Sequence, residues 1–158
     1  MVLGISLGTR SFGYAVFKEE ELFDWGLKTC KGKWSTKKLK KIHQVISEVI
    51  TVNDITEVAV KVPDTIPTSK GFTQLMGSLN ILFQDLVVTS RFLTLADLKQ
   101  HYCDSGNVNK EVLSEAISRK YPELSIAYLH TSRERTGYYM KVFEAVAAAS
   151  FIETHAQR

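Results

Sequence analysis

The spacing of apolar residues in the first 30 positions predicts three short strands. Residues 2–7 form an apolar run without alternation, which is typical of a strand buried on both faces of a sheet. Residues 12–18 and 21–28 predict two further strands, joined by an acidic turn at Glu19 and Glu20. Because so few residues connect these three segments, neighbouring strands must run antiparallel.

Beyond residue 30 the pattern changes to alternating helices and strands. Ser35 or Thr36 can cap a helix that continues to about Ile50, with its apolar residues on one face. The later predicted elements are a strand at 55–62, a helix at 71–85, a strand at 86–90, a short helix opened by a Thr94–Asp97 capping box and ending at Tyr102, a helix from Asn109 to about Tyr121, and a helix from Gly137 to His155. This order predicts an α/β domain with a mixed five-stranded sheet.

Composition is consistent with a soluble globular domain. The 158 residues, 44% of them apolar, suffice for a single domain spanning 1–158. No apolar run approaches the ~20 residues of a membrane span, and no basic segment precedes the apolar N-terminus as in a secretory signal. Cys30 and Cys103 lack the spacing of a metal site or a disulfide framework, so a cytoplasmic location is expected.

Positive charge is concentrated in one segment. Residues 28–41 read KTCKGKWSTKKLKK and contain seven lysines and no acidic residue. Such a segment, including Lys37 and Lys38, can contact a phosphate backbone, which would make binding salt-dependent. It can equally be a solvated loop and the first turns of a helix. The net charge of +3 does not decide between these alternatives.

Five segments follow one another in an order typical of one fold superfamily. They are VLGISLGTRSFGYAVF (2–17), ITEVAVK (55–61), FTQLMGSLNILF (72–83), GNVNKEVLSEAI (106–117) and KVFEAVAAASF (141–151). In sequence and order they resemble the RNase H-like superfamily, and most closely the RuvC group of Holliday junction resolvases. The resemblance covers nearly the whole chain and implies a three-layer α/β/α RNase H-like fold.

The resemblance also implies a site whose metal ligands have been replaced. These nucleases hold two divalent ions with about four carboxylates, and the matching positions here are Ser6, Lys61, Lys141 and Glu144. Only Glu144 is acidic, so the charge of the four positions changes from about −4 to roughly +1, and two ammonium groups at ~4 Å would repel each divalent ion by several kcal/mol. No cofactor is therefore expected. Mg²⁺ is expected only if a nearby carboxylate such as Asp64 compensates for the missing ligands.

Lys61, Lys141 and Glu144 are expected to form a charge cluster with two possible uses. Glu144 can simply neutralise the lysines, or the ammonium groups can take the place of the metal ions and hold a backbone phosphate without cleaving it. Further candidate contacts to nucleic acid are Arg10 in the first hairpin turn, Lys110 in the Gly-x-x-x-Lys-Glu segment, and Arg133 and Arg135 before the last helix.

The function predicted from these features is that of a pseudo-nuclease that binds branched or structured DNA without two-metal cleavage. The alternatives are an active metal-dependent endonuclease with a reorganised site, and a non-catalytic structural or protein-binding domain. The resemblance further implies a homodimer, because a four-way junction has two-fold symmetry. A continuous basic face would favour a nucleic-acid partner, whereas exposure of Trp25 and Trp34 would favour a protein partner.

Overall fold

Five strands form one mixed sheet in the computed structural model, which describes residues 1–102, 109–134 and 139–156. The strands are β1 (Val2–Ser6), β2 (Ser11–Lys18), β3 (Glu21–Thr29), β4 (Glu57–Lys61) and β5 (Thr89–Leu93). Their order across the sheet is β3-β2-β1-β4-β5. The first three strands are antiparallel, and β4 and β5 continue the sheet in parallel with β1. The predicted mixed sheet with three antiparallel strands is confirmed.

Helices cover both faces of this sheet. They are α1 (Thr36–Val52), α2 (Lys70–Asp85), α3 (Leu95–Tyr102), α4 (Lys110–Lys120), a 3₁₀ turn (Pro122–Leu124), α5 (Ser125–Glu134) and α6 (Met140–Ala156). The first two pack on one face, and the others, with α6 directly on the strands, form the second layer. In the described part of the chain, no helix has the length and apolar character needed to cross a membrane.

Capping residues define the helix starts as the sequence predicts. The Ser35 side chain accepts a hydrogen bond from the backbone N–H of Lys38, and Asn109 accepts one from Val112. Thr94 and Asp97 form the predicted capping box, because each side chain accepts a hydrogen bond from the other residue's backbone N–H.

Two predictions about the secondary-structure elements are corrected, one on the bounds of a strand and one on the number of helices. The last strand lies at Thr89–Leu93 instead of 86–90, because the preceding apolar residues form a turn in which Val87 has φ +56° and Val88 bonds back to the carbonyl of Phe83. Helix α5 was not predicted; two of its apolar residues, Ile126 and Leu129, are exposed, so no apolar stripe marks it. The predicted start of the last helix, Gly137, lies outside the described residues.

Successive side chains of β1 point to opposite faces of the sheet, and this determines which of its residues face α6. Leu3 and Ile5 point into the layer of α1 and α2, whereas Gly4 and Ser6 face α6. A Cβ at Gly4 would collide with the carbonyl oxygen of Ala145. The same applies on β2, where a Cβ at Gly13 would collide with the backbone of α6. These glycines let α6 lie directly on the strands, and this brings its first turns over the carboxyl end of β1.

Candidate functional site

The centre of the candidate site is a buried carboxylate at the carboxyl ends of two parallel strands. Ser6 and Lys61 are paired in register at the ends of β1 and β4, and Glu144 projects onto them from α6. Glu144 is 2% exposed. Its Oε2 accepts a hydrogen bond from Ser6 Oγ at 2.9 Å and lies 2.9 Å from Lys61 Nζ, and its Oε1 lies 3.3 Å from Lys110 Nζ.

Lys141 completes this group from the preceding turn of α6. Its Nζ donates a hydrogen bond to the carbonyl of Leu7 at 3.1 Å, just beyond the end of β1. A Cβ at the next residue, Gly8, would lie 2.9 Å from the same ammonium. We refer to Ser6, Lys61, Lys110, Lys141 and Glu144 together as the lysine–glutamate cluster.

The electrostatics of the cluster follow from one acid among three bases. Burial by itself would raise the pKa of Glu144, but Lys61, Lys110 and the Ser6 hydroxyl outweigh burial and lower it below its ordinary value. Burial lowers the pKa of Lys141; Glu144 opposes this shift, and the other two ammonium groups add to it. Glu144 is therefore a carboxylate at neutral pH, and the cluster has a formal charge of +2.

Comparison with solved structures identifies the fold. RuvC of Thermus thermophilus in complex with a Holliday junction substrate superposes with a TM-score of 0.72 and 15% identity, over 99% of this chain and 94% of that one. A second structure of Thermus thermophilus RuvC gives a TM-score of 0.71 and 16% identity, over 99% and 95% of the two chains. The chain has the RNase H-like fold of RuvC. The Fowlpox virus resolvase, in complex with its substrate Holliday junction DNA, shares this fold with a TM-score of 0.60 and 8% identity, over 99% of each chain.

The comparisons by sequence add nothing to this result. No protein-family model matches the chain, and no curated protein matches it. The RuvC likeness, at these low identities, concerns the fold, and it confirms the fold class that the five sequence segments predict.

The side chains of the lysine–glutamate cluster do not fit the two divalent ions that a RuvC-like nuclease would use. Mg²⁺ needs several oxygen ligands, most of them carboxylates. Here both oxygens of Glu144 are already in contact with ammonium groups, and the remaining oxygen donor is the Ser6 hydroxyl. Within residues 1–102, 109–134 and 139–156, no group of three or more His, Cys, Asp or Glu side chains could hold a metal ion.

The carboxylate of Asp64 contacts the start of α3. Its Oδ1 accepts hydrogen bonds from the backbone N–H groups of Leu95 at 2.7 Å and Ala96 at 3.4 Å, at the start of α3. This carboxylate oxygen thus satisfies N–H groups that a helix start leaves unpaired, and a role of Asp64 as a metal ligand stays a prediction.

The other candidate contacts to nucleic acid differ in their exposure. Arg10, in the turn between β1 and β2, and Lys37, in the first turn of α1, are exposed. Lys38 is buried, and its Nζ donates to the carbonyl of Gly32 at 2.9 Å. Its ammonium is thus held by the β3–α1 loop, and its predicted contact with a phosphate backbone stays a prediction. Arg135 and the side chain of Arg133 lie outside the described part.

The two tryptophans do not form an exposed aromatic patch. Trp25 is half-buried against the α6 layer, and Trp34 is half-buried in the layer of α1 and α2. The feature that would favour a protein partner over a nucleic acid is therefore missing at these positions.

Sequence reasoning missed the role of Lys110. It is half-exposed at the start of α4, with 52% of its side chain accessible, and it pairs with Glu144 on α6. The resemblance marked this lysine as a candidate backbone contact, but no local pattern indicates a partner 34 residues away on another helix.

Proposed function

We propose that this chain binds structured nucleic acid, with branched DNA as its preferred form, and does not cleave it by two-metal chemistry. The observation that carries this proposal is the lysine–glutamate cluster, which places three ammonium groups around one carboxylate where the resemblance implies metal ligands. Two of the proteins that share its fold have been solved with Holliday junction DNA.

The contacts within the cluster support a division of roles. Lys61, 12% exposed, and Glu144 neutralise each other in the interior. The excess positive charge then lies on Lys110 and Lys141. Each ammonium has three N–H donors, and the contacts to Glu144 and to the Leu7 carbonyl leave donors available for a phosphate oxygen.

The basic segment lies at the same end of the sheet as the cluster. The backbone N–H of Cys30 donates to the carbonyl of Arg10 at 2.8 Å, which ties the β3–α1 loop to the turn that follows β1. The lysines of this loop and the cluster thus flank the same turn, as a path for a phosphate backbone requires.

The test is a gel-shift and cleavage assay on four-way junction, duplex, single-stranded DNA and RNA–DNA hybrid, with and without Mg²⁺ or Mn²⁺. We expect the junction to be bound with or without metal and to remain uncut. Lys110→Ala is expected to weaken binding by about tenfold at low salt and to lower the salt slope by about one.

Lys18→Ala is the matched control. It removes the same charge from an exposed position at the opposite end of the sheet, and we expect little change. Metal-dependent cutting that Glu144→Gln abolishes would establish the active-endonuclease alternative. Failure to bind any of the four nucleic acids would leave a structural or protein-binding domain.

We also propose that the chain works as a homodimer, as the two-fold symmetry of a four-way junction favours. In support, an apolar depression of about 370 Å³ lies where the β4–α2 loop meets α2 and β5. Its lining includes Val62, Pro63, Ile66, Phe72, Met76 and Phe92. Ile66, 92% exposed, and Phe92, 39% exposed, extend this lining into one contiguous apolar patch, the kind of surface that marks an interaction site.

Sedimentation equilibrium tests the dimer. The wild-type chain is expected to show twice the monomer mass, and Ile66→Glu to shift it to the monomer. Ile126→Glu changes an equally apolar exposed residue on α5 and should leave the mass unchanged. A monomeric wild type at tens of micromolar would contradict the proposal.

A further inference from the structure

A basic cleft of about 650 Å³ lies beside the lysine–glutamate cluster, between the β1–β2 turn and the β3–α1 loop. Residues that line it include Thr9, Arg10, Lys31, Lys33, Trp34 and Lys38. Within the described part of the chain, the residues that line it include no acidic side chain and no lysine of the lysine–glutamate cluster. The cleft is therefore a separate concentration of positive charge.

The walls of the cleft are fixed by hydrogen bonds that do not depend on a ligand. The Cys30–Arg10 backbone bond joins the loop to the turn. Inside the loop, buried Lys38 donates to the carbonyl of Gly32, which has φ +96°, a conformation that favours glycine. With Lys38 committed to the loop, Arg10, Lys31 and Lys33 remain as exposed cations.

The aromatic wall of the cleft is fixed as well. The indole Nε1 of Trp34 donates to the side chain of Gln74 at 2.8 Å. The ring packs on Gly71 of α2 so closely that a Cβ there would lie 2.7 Å from the ring. An aromatic ring held on two sides loses little conformational entropy when a ligand stacks on it.

We propose that this cleft binds one nucleotide of an unpaired strand, with its phosphate on Arg10, Lys31 and Lys33 and its base against Trp34. Cations that follow the backbone and an aromatic ring that accepts any base are the combination by which proteins hold single strands. The volume lies in the range of sites for small ligands. The inference rests on the proposed binding of nucleic acid and adds an unpaired strand to it.

The first test uses tryptophan fluorescence with an oligothymidylate of eight nucleotides as the probe. In Trp25→Phe, where Trp34 is the only tryptophan, saturable quenching is expected because the base stacks on the indole. In Trp34→Phe, where only Trp25 remains, no quenching is expected. Absence of quenching in Trp25→Phe at probe concentrations that saturate binding overturns the proposal.

The second test compares two charge-matched double variants by anisotropy of the same labelled probe. Lys31→Ala with Lys33→Ala removes two cations from the cleft, and we expect about tenfold weaker binding. Lys40→Ala with Lys41→Ala removes two exposed lysines from the same segment that do not line the cleft, and we expect less than about a twofold change. All four lysines are exposed, so folding should be unaffected. Equal losses in the two variants overturn the proposal, because they indicate general attraction and not a site.

The two proposals fail in distinguishable ways. If wild-type protein binds a four-way junction but not the oligothymidylate, only the cleft assignment fails. If it binds the oligothymidylate with quenching of Trp34 but does not prefer the junction, the cleft stands and the preference for branched DNA fails. If it binds no nucleic acid, both fail.

Discussion

Gly13→Ala is expected to lower the free energy of unfolding by about 4 kcal/mol or more, a loss that few single substitutions cause. The added Cβ would collide with the carbonyl oxygen of Lys141 and lie 2.6 Å from the backbone nitrogen of Val142. Both are backbone atoms of α6, so no side chain can move aside, and the helix itself must shift away from the sheet. Chemical denaturation of the purified variant measures this loss.

Gly77→Ala is the matched control for this substitution. Gly77 is exposed on α2, and a Cβ there would meet nothing within 4 Å. We expect a gain of up to about 1 kcal/mol in stability, because alanine is a better helix former than glycine. If Gly13→Ala proved as harmless as Gly77→Ala, α6 could not lie on β2 as closely as the structure shows.

Glu144→Ala is the second substitution with a large expected effect, a loss of about 3–5 kcal/mol. It removes the carboxylate that pairs with Lys61, whose side chain is 12% exposed, and leaves that nearly buried ammonium without this counterion. Glu115→Ala, which breaks the exposed Glu115–Arg119 pair on α4, should cost only about 0.3–0.5 kcal/mol. Urea unfolding of the two variants against wild type measures the difference.

A double variant identifies the cause of that loss. Lys61→Met combined with Glu144→Met replaces the ion pair by two apolar side chains of similar volume, and we expect it to recover stability to within about 1–2 kcal/mol of wild type. If the double variant were as unstable as Glu144→Ala alone, the unpaired ammonium would not be the source of the destabilisation.

The folded protein is expected to lose stability at acidic pH. Because the folded protein lowers the pKa of Glu144, its stabilising contribution is complete above the unfolded pKa near 4.3 and is lost as the pH falls through the lower, folded value. Wild-type stability should therefore decline below about pH 4. Glu144→Gln, which cannot titrate at this position, should show a shallower decline.

The sequence predicted most of the elements, because their signals are local. The apolar run at 2–7, the Ser35 cap and the capping box at Thr94 each depend on residues only a few positions apart. The turn at Val87 was missed for the same reason, since an apolar turn has the composition of a strand. The burial of Lys38 was missed because lysines seldom lie inside a protein.

Four of the five residues of the lysine–glutamate cluster were predicted as one group, whereas the fifth, Lys110, was not predicted to join them. The resemblance matched Ser6, Lys61, Lys141 and Glu144 to one group of positions, and the structure brings these four residues together at one end of the sheet. The structure also shows contacts that no spacing indicates. The Glu144 carboxylate accepts a hydrogen bond from Ser6 and forms ion pairs with Lys61 and Lys110, whereas Lys141 donates to a backbone carbonyl.

The Ser6–Glu144 hydrogen bond joins residues 138 positions apart, from the first strand to the last helix. The antiparallel strands β1 to β3 need only short connections and can pair early, as local contacts do. The lysine–glutamate cluster cannot form without α6, because Glu144 lies on that helix. On the ribosome, Lys61 therefore has no Glu144 to pair with until nearly the whole of this sequence has been synthesised. A growing chain of this protein therefore cannot assemble the lysine–glutamate cluster before α6 closes over the sheet.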